Sequence, residues 1–177
     1  LMELGATVCK PSSPKCHECP VSSFCAAFKE NVQVEFPIKS PTKKRPHKII
    51  AVGIVEKDGK ILIARRPEDG MLGGLWEFPG GKVEDGETLE NCVVRELKEE
   101  LDISVAVDKF FMHVDHQYTH FTIKLHAFFC HLISGEPKAI GCTDWKWEDK
   151  QNLQNYAFPK ANKTILETLL KQEPKKL

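Results

Sequence analysis

The chain of 177 residues lacks several features that would place it in a broad class at once. Its 25 basic and 25 acidic residues balance, so net charge indicates neither a nucleic-acid partner nor a membrane surface. It has no run of about 18 apolar residues, and we expect no membrane span. The first residues, LMELGATVC, have no basic end and do not form a secretory signal. Because LMEL resembles a helix already under way, we expect a piece of a longer protein.

A disulfide framework is not expected either, although the sequence contains seven cysteines. Their odd number and the missing secretory signal predict a reducing, cytoplasmic environment. Three are scattered in or beside apolar segments, where small buried side chains are expected: Cys92, Cys130 and Cys142. Four crowd the first 25 residues: Cys9, Cys16, Cys19 and Cys25. Four soft thiolates in one short loop suit a zinc ion or an iron–sulfur cluster.

The sequence divides into three zones. Residues 1–30 contain the clustered cysteines and a short helical stretch, SSFCAAFKE. Residues 31–47 contain three prolines and four basic residues without periodicity, which predicts a linker. Residues 48–173 have the pattern of a complete α/β domain, with helices on both sides of a sheet. Asp58-Gly59 predicts a hairpin, FTIKLHAFFC and DWKW predict strands, and ANKTILETLL predicts a final helix.

Acidic residues are concentrated in residues 80–103, which read GGKVEDGETLENCVVRELKEELDI. Apolar residues recur every three or four positions from Glu87 onward, which predicts a helix with one buried stripe. Glu96, Glu99 and Glu100 then share one arc beside that stripe. Like charges at this spacing repel, so either a solvated face or a cation must explain them. The glycine-rich loop before the helix and the adjacent Arg95 favour a cation. Carboxylate oxygens and an exposed glycine carbonyl suit Mg²⁺ or Mn²⁺.

The same segment resembles the signature of the Nudix hydrolases, in which Gly and Glu precede Arg-Glu-apolar-x-Glu-Glu-x-Gly-apolar. Eight positions fall in register: Gly81, Glu87, Arg95, Glu96, Leu97, Glu99, Glu100 and Ile103. The departure is Asp102, where the family usually has glycine. That position favours a left-handed backbone, which Asp tolerates second best, so we expect a small stability cost.

The resemblance implies a fold and a reaction. The fold would be a Nudix α/β/α sandwich with a mixed sheet, preceded by the small helical cysteine-rich segment. Four groups would hold the metal: the Gly80 carbonyl, Glu96, Glu99 and Glu100. Glu87 would pair with Arg95 and position it. A metal-activated water, with Glu96 or Glu100 as base, would attack a phosphorus of a nucleoside diphosphate linked to another group.

The flanking residues resemble the MutT branch, the 8-oxo-dGTP pyrophosphohydrolases, in LWEFPGGK, in the Arg65-Arg66 pair and in FPKAN at 158–162. The implied substrate is a nucleoside triphosphate of the 8-oxo-dGTP class, bound by Arg66, Phe78 and Asn162. An amide at Asn162 donates and accepts, as a purine edge requires, although a helix N-cap explains it equally well. Phe78 would either stack on a base or fill the core. A related branch acts on CTP and modified pyrimidines and stays open.

One expected carboxylate is missing. MutT-like enzymes bring a further acid from the loop before the strand that here reads DWKW. That loop is PKAIGCT, with no acid between Glu136 and Asp144. We therefore expect an incomplete metal site with slow or absent turnover.

The cysteine spacing, together with ELGATV and Pro20-Val21, resembles the [4Fe–4S] loop of the endonuclease III and MutY DNA glycosylases, with zinc as the alternative. A cysteine loop, a basic linker and a MutT-like domain, in that order, resemble the C-terminal half of the MutY-type adenine glycosylases, which remove adenine opposite 8-oxoguanine. HQYTHF resembles their DNA-contacting loop. The resemblance implies that Tyr118, Thr119 and His120 contact 8-oxoguanine in double-stranded DNA.

Three hypotheses follow from the sequence. The chain is the C-terminal part of such a glycosylase and recognises 8-oxoguanine, or its Nudix site also hydrolyses a nucleotide, or it is a standalone Nudix enzyme with a zinc appendage. The catalytic carboxylates and helix-hairpin-helix of the glycosylases lie in an upstream domain that this sequence does not include. We therefore expect no adenine excision by the chain itself.

Overall fold

The structure, a computed structural model, describes residues 2–38 and 45–171. The chain divides into two compact units, Leu1–Lys44 and Arg45–Leu177. Residues 39–44 of the predicted linker and residues 172–173 of the predicted α/β domain lie outside the described residues, so the three proposed zones stay predictions. Within the part of the chain that is described, no helix is long and apolar enough to cross a bilayer.

The first unit consists of short helical pieces. Helix α1 spans Met2–Thr7 and helix α2 spans Ala26–Lys29. Three single 3₁₀ turns occur as well: Cys16–Glu18, Ser22–Phe24 and Gln33–Glu35. The predicted helical stretch SSFCAAFKE is therefore interrupted at Cys25, whose extended backbone ends one turn and begins α2.

The second unit is built on one mixed sheet of seven strands within residues 45–171. The strands are β1 His47–Lys57, β2 Lys60–Arg65, β3 Trp76–Glu77, β4 Gly80–Lys82, β5 Ser104–Gln117, β6 Thr122–Ser134 and β7 Asp144–Asp149. The main order is β3-β2-β1-β6-β5, with β4 paired to β1 and β7 paired to β2. β1 and β6 are parallel and the other pairs are antiparallel. The predicted mixed sheet is confirmed.

Local turn chemistry explains the predicted hairpin between β1 and β2. Asp58 and Gly59 both have positive φ, 51° and 75°, as a two-residue hairpin turn of the favoured twist requires. Strand β5 was not predicted. Its pairing with β6 shifts register at three places. Each shift moves the side chains that follow it to the opposite face of the sheet. A period-two pattern therefore does not persist along its sequence.

Within residues 45–171, two helices cover the sheet. Helix α3 spans Leu89–Leu101 and helix α4 spans Lys160–Lys171. One apolar cluster joins α4 to the sheet, and a separate one joins α3 to it. Strand side chains alternate between the two faces, so the two clusters lie on opposite sides. This is the predicted α/β/α sandwich.

The ends of α3 are fixed by specific contacts. Thr88 caps the helix, and its hydroxyl accepts a hydrogen bond from the Asn91 N–H at 3.2 Å. The helix ends at Asp102, which is left-handed with φ 55° and ψ 29°, as the Nudix position predicts. Lys138 and Lys98 donate hydrogen bonds to its carboxylate and hold the pKa of Asp102 at about 2. These two ion pairs offset part of the conformational cost of a residue other than glycine.

Candidate metal and nucleotide site

The apolar stripe of α3 determines where its acids lie. Its buried side chains pack on the sheet: Cys92, Val93, Leu97 and Leu101. Glu96 flanks this stripe with only 15 % of its side chain exposed, next to the short strand β4. A Cβ on Gly81 would lie 2.2 Å from the Glu96 carboxyl group. Gly80 has φ +145°, and a Cβ there would lie 2.2 Å from the Ala51 carbonyl oxygen. Gly81 therefore allows the β4 backbone to meet the Glu96 carboxylate directly, and Gly80 allows β4 to pack closely against the β1 backbone.

Arg95 binds three of the acids at once. Its guanidinium donates to Glu87 at 2.8 and 3.0 Å, to Glu96 at 3.0 Å and to Glu99 at 3.1 Å. The hydrogen bonds from Arg95 hold the pKa of Glu87 at about 2. The structure thus pairs Glu87 with Arg95, as the signature implied. Glu99 is the outlying member, since 60 % of its side chain is exposed.

Glu100 occupies the most desolvated position on α3's acidic arc. Burial, followed by the charges of Glu77 and Glu96, raises the pKa of Glu100 to about 7. The loop before β7 is seated on the same residue, because the N–H groups of Ile140 and Gly141 both donate to the Glu100 carbonyl at 3.1 Å. The thiol of Cys142 lies near the carboxylate, whose charge adds to burial in raising the pKa of Cys142 to about 11. The loop contributes no acid to the site.

Glu77 belongs to the same cluster and was missed by the sequence analysis. It lies on β3 between Trp76 and Phe78, which both pack in the α4-side core. Strand alternation therefore directs Glu77 to the α3 side. Only 14 % of its side chain is exposed, and Arg66 donates to both of its oxygens at 2.9 and 2.7 Å. The sequence did offer one signal of this position: a single acidic residue stands between two large aromatic residues, Trp76 and Phe78.

The donor chemistry of this cluster fits a divalent cation. Four carboxylates pair with the guanidinium groups of Arg66 and Arg95, and Glu100 lies within the same charge cluster, so the ionised acids carry excess negative charge. Oxygen donors of this kind suit Mg²⁺ or Mn²⁺. In the described residues no three His, Cys, Asp or Glu side chains already surround a common metal position. The two arginines occupy oxygens that a cation would need.

Asn162 lies inside the first turn of α4, which begins at Lys160. Since an N-cap precedes the first helical residue, the alternative explanation of Asn162 as a cap does not hold. Its side chain is 6 % exposed, and Oδ1 accepts the Phe78 backbone N–H at 3.2 Å. Phe78 is fully buried with its ring 5.6 Å from that of Phe158. A core role therefore describes Phe78, and neither ring face is open for stacking on a base.

The turn between β5 and β6 separates its three predicted DNA contacts. Thr119 and His120 are exposed. Tyr118 is half-buried and stacks on Phe121 with ring centres 4.7 Å apart. Burial raises the pKa of Tyr118, and the Ala161 backbone, within hydrogen-bonding reach of its hydroxyl, lowers it. Tyr118 therefore lies beside the start of α4, next to Asn162.

In the first unit the four clustered cysteines line one cavity of about 390 Å³, together with apolar residues that include Phe28 and Phe36. Burial and then the charges of Cys25, Cys9 and Cys19 raise the pKa of the Cys16 thiol. Each of the other three cysteines is thus close enough to act on the Cys16 thiol. The donor set fits a thiolate-bound group, because four uncompensated thiolates would repel.

The raised pKa of Glu100 makes metal-free stability depend on pH. A folded-state pKa of about 7, against an ordinary 4.5, means that the folded chain holds this proton more tightly than the unfolded chain. The contribution is fully present below pH 4.5 and is lost as pH rises to about 7. We expect wild type in EDTA to lose on the order of 2–3 kcal/mol over that window relative to Glu100→Gln. Urea unfolding at several pH values measures this; parallel curves would contradict it.

Two families match separate parts of the chain. The NUDIX domain matches residues 50–168, and the iron-sulfur binding domain of endonuclease III matches residues 9–25. The solution structure of the E. coli ORF135 protein superposes with a TM-score of 0.63 and 32% identity, covering 77% of this chain and 100% of that one. These matches agree with the sandwich and with the position of the cysteine cavity.

The curated relatives fall into two groups, nucleotide pyrophosphohydrolases and adenine DNA glycosylases. The 8-oxo-dGTP diphosphatase of Escherichia coli (strain K12) is 35% identical over 121 residues, 68% of this chain and 94% of that protein. The CTP pyrophosphohydrolase of the same organism is 34% identical over 121 residues, 68% of this chain and 90% of that protein. The adenine DNA glycosylase of Arabidopsis thaliana is 37% identical over 126 residues, 62% of this chain. The chain spans only 20% of that glycosylase.

The carboxylate helix, the paired glycines and the covering helices therefore agree with a family match that extends over more than half of the chain. The predicted combination of a Nudix domain with an endonuclease III iron–sulfur motif is confirmed. The chain belongs to the Nudix family.

Proposed function

We propose that the Nudix domain hydrolyses a nucleoside triphosphate of the 8-oxo-dGTP class to the monophosphate and pyrophosphate. The observation that carries this proposal is the group of desolvated carboxylates, Glu96 and Glu100, held against the Gly80-Gly81 backbone. Such a group is costly unless a cation and an anionic substrate complete it. The 8-oxo-dGTP diphosphatase and CTP pyrophosphohydrolase relatives support the same class of substrate.

The residues of the carboxylate cluster have separate parts in this reaction. Bound Mg²⁺ or Mn²⁺, held by the Gly80 carbonyl, Glu96, Glu99 and Glu100, would supply Lewis-acid charge for the polyphosphate. Glu100, the most desolvated of the α3 acids, is assigned as the base that accepts the proton of the attacking water. Glu87 fixes the guanidinium of Arg95, which in turn holds the Glu96 carboxylate in place.

Recognition of the base is assigned to the start of α4. The Oδ1 of Asn162 is engaged by the Phe78 N–H, which fixes the amide and leaves Nδ2 as the donor toward a base acceptor. The hydroxyl of Tyr118 lies beside the same helix turn and can donate or accept. Phe78 acts through its backbone and not through its ring. We expect turnover to be slow, because the 137–143 loop brings no carboxylate.

Purified protein with Mg²⁺ should release pyrophosphate from 8-oxo-dGTP, and Glu100→Gln should reduce the rate by roughly a hundred-fold or more, since a base contributes about that much. Glu90→Gln, an exposed acid in the first turn of α3, is the matched control and should keep full activity. A malachite-green assay after pyrophosphatase addition, run on a nucleotide panel that includes CTP, measures both. No release from any nucleotide would refute the proposal.

We also propose that the chain is the C-terminal part of an adenine DNA glycosylase and that it recognises 8-oxoguanine in double-stranded DNA. The exposed Thr119 and His120 at the β5–β6 turn support it, as do the adenine DNA glycosylase relatives. Hydroxyl and imidazole groups at an exposed turn can donate to base edges and phosphates. The nucleotide reaction and this recognition are compatible.

Binding to duplexes tests the second proposal. We expect 8-oxoguanine duplexes to bind more tightly than guanine duplexes at fixed salt, and His120→Ala and Thr119→Ala to reduce that ratio by several-fold. His131→Ala is the matched control, because His131 is exposed on the same strand pair and is bound by Asp108. Fluorescence anisotropy gives the affinities. Equal affinity of wild type for the two duplexes would contradict the proposal.

In the first unit we propose that the four-cysteine cavity binds a [4Fe–4S] cluster, with zinc as the alternative. The presence of all four cysteines in the lining of one largely apolar cavity supports a thiolate-bound group. We expect anaerobically purified protein to be brown, with broad visible absorbance that Cys16→Ser removes and Cys142→Ser, outside the cavity, retains. Colourless protein containing stoichiometric zinc would decide for the alternative.

A further inference from the structure

The Arg66–Glu77 ion pair is the part of the site that the Nudix signature does not explain. Arg66 is bound by two elements: its Nε donates to the Met71 carbonyl at 3.0 Å, and one terminal nitrogen contacts both Glu77 oxygens. Glu77 is 14 % exposed and Arg66 is 31 % exposed. Desolvating both charges is costly, so a pair of this kind calls for a reason beyond the fold.

Glu77 lies close to the residues proposed to hold the metal. It precedes Gly80 by three residues, and β3 pairs with β2 at Ala64↔Glu77. Its charge acts on Glu100, and the charge of Glu96 acts on Glu77. Glu99, in contrast, is largely exposed and bound by Arg95. The strand position turns Glu77 to the α3 side, where the charges of Glu77 and Glu96 act on Glu100.

The missing loop acid leaves a gap that Glu77 can fill. The 137–143 loop is fixed on α3 by two hydrogen bonds to the Glu100 carbonyl, and it has no carboxylate to offer. A Mg²⁺ or Mn²⁺ ion takes about six oxygen ligands, several of them from carboxylates and phosphates. Glu77 presents a carboxylate from β3 to the side of the sheet that α3 covers, where Glu96 and Glu100 lie.

We propose that Glu77 is a further metal-binding carboxylate of this site, in place of the absent loop acid, and that Arg66 neutralises it until a cation binds. This inference rests on the proposed nucleotide hydrolysis. Cation binding would release the Arg66 guanidinium from Glu77. An arginine freed beside the carboxylate cluster is suited to bind a phosphate in a bidentate manner. Arg66 would therefore exchange the Glu77 carboxylate for a phosphate of the substrate.

Binding of Mn²⁺ to the nucleotide-free protein tests whether a cation replaces Arg66 as the partner of Glu77. Free Mn²⁺ is measured by electron paramagnetic resonance. Glu77→Gln should weaken binding at least about ten-fold, the scale of even outer-sphere changes at metal sites. Arg66→Gln should strengthen binding several-fold, because it removes the cation that competes for Glu77. Glu90→Gln should bind Mn²⁺ like wild type.

Opposite effects of the two variants on Mn²⁺ affinity distinguish a metal ligand from an ion pair that only stabilises the fold. If Glu77→Gln binds like wild type, or if Arg66→Gln weakens binding as Glu77→Gln does, the pair only stabilises the fold and the inference is wrong. Glu77→Asp keeps the charge and provides a second variant should Glu77→Gln fail to fold; it should bind more tightly than Glu77→Gln. A wild-type protein that binds no Mn²⁺ would instead refute the proposed function.

Discussion

Mutual repulsion among carboxylates is the interaction on which the site depends. Glu96 and Glu100 are held on one arc of α3 because the adjacent stripe of that helix is buried on the sheet. They cannot rotate away into solvent without exposing that stripe, whose burial is worth about 1.5–3 kcal/mol per large side chain. Two guanidinium groups relieve the repulsion in part, Arg95 from the helix itself and Arg66 from the end of β2.

The sheet brings the remaining groups to this helix. β4 is only three residues long, and its pairing with β1 places Gly80 and Gly81 where no side chain fits. β3 pairs with β2 and turns Glu77 to the α3 side, while its neighbours Trp76 and Phe78 pack toward α4. The Phe78 N–H then fixes Asn162. One short segment, residues 76–81, therefore connects the carboxylate cluster to the residues assigned to the base.

Local features were predictable and non-local ones were not. The hairpin at Asp58-Gly59 and the acidic arc of α3 depend on residues close in sequence, so spacing and turn chemistry were sufficient. Glu77 was missed because its partner Arg66 is eleven residues away, across a loop. The burial of Phe78 depends on α4, more than 80 residues later, as does the place of Asn162 inside a helix. No periodicity within residues 76–81 carries that information.

Tyr118 suggests how the two proposed activities are related. Both require recognition of the same oxidised base, once in a free nucleotide and once in a duplex. The hydroxyl of Tyr118 lies at the start of α4, beside Asn162, while Thr119 and His120 extend from the same turn into solvent. A ligand that moved α4 would therefore move this turn, because a packed interface transmits displacement and does not absorb it. The stacking of Tyr118 on Phe121, whose carbonyl accepts the Tyr118 N–H, ties this turn to the residues to which base recognition is assigned.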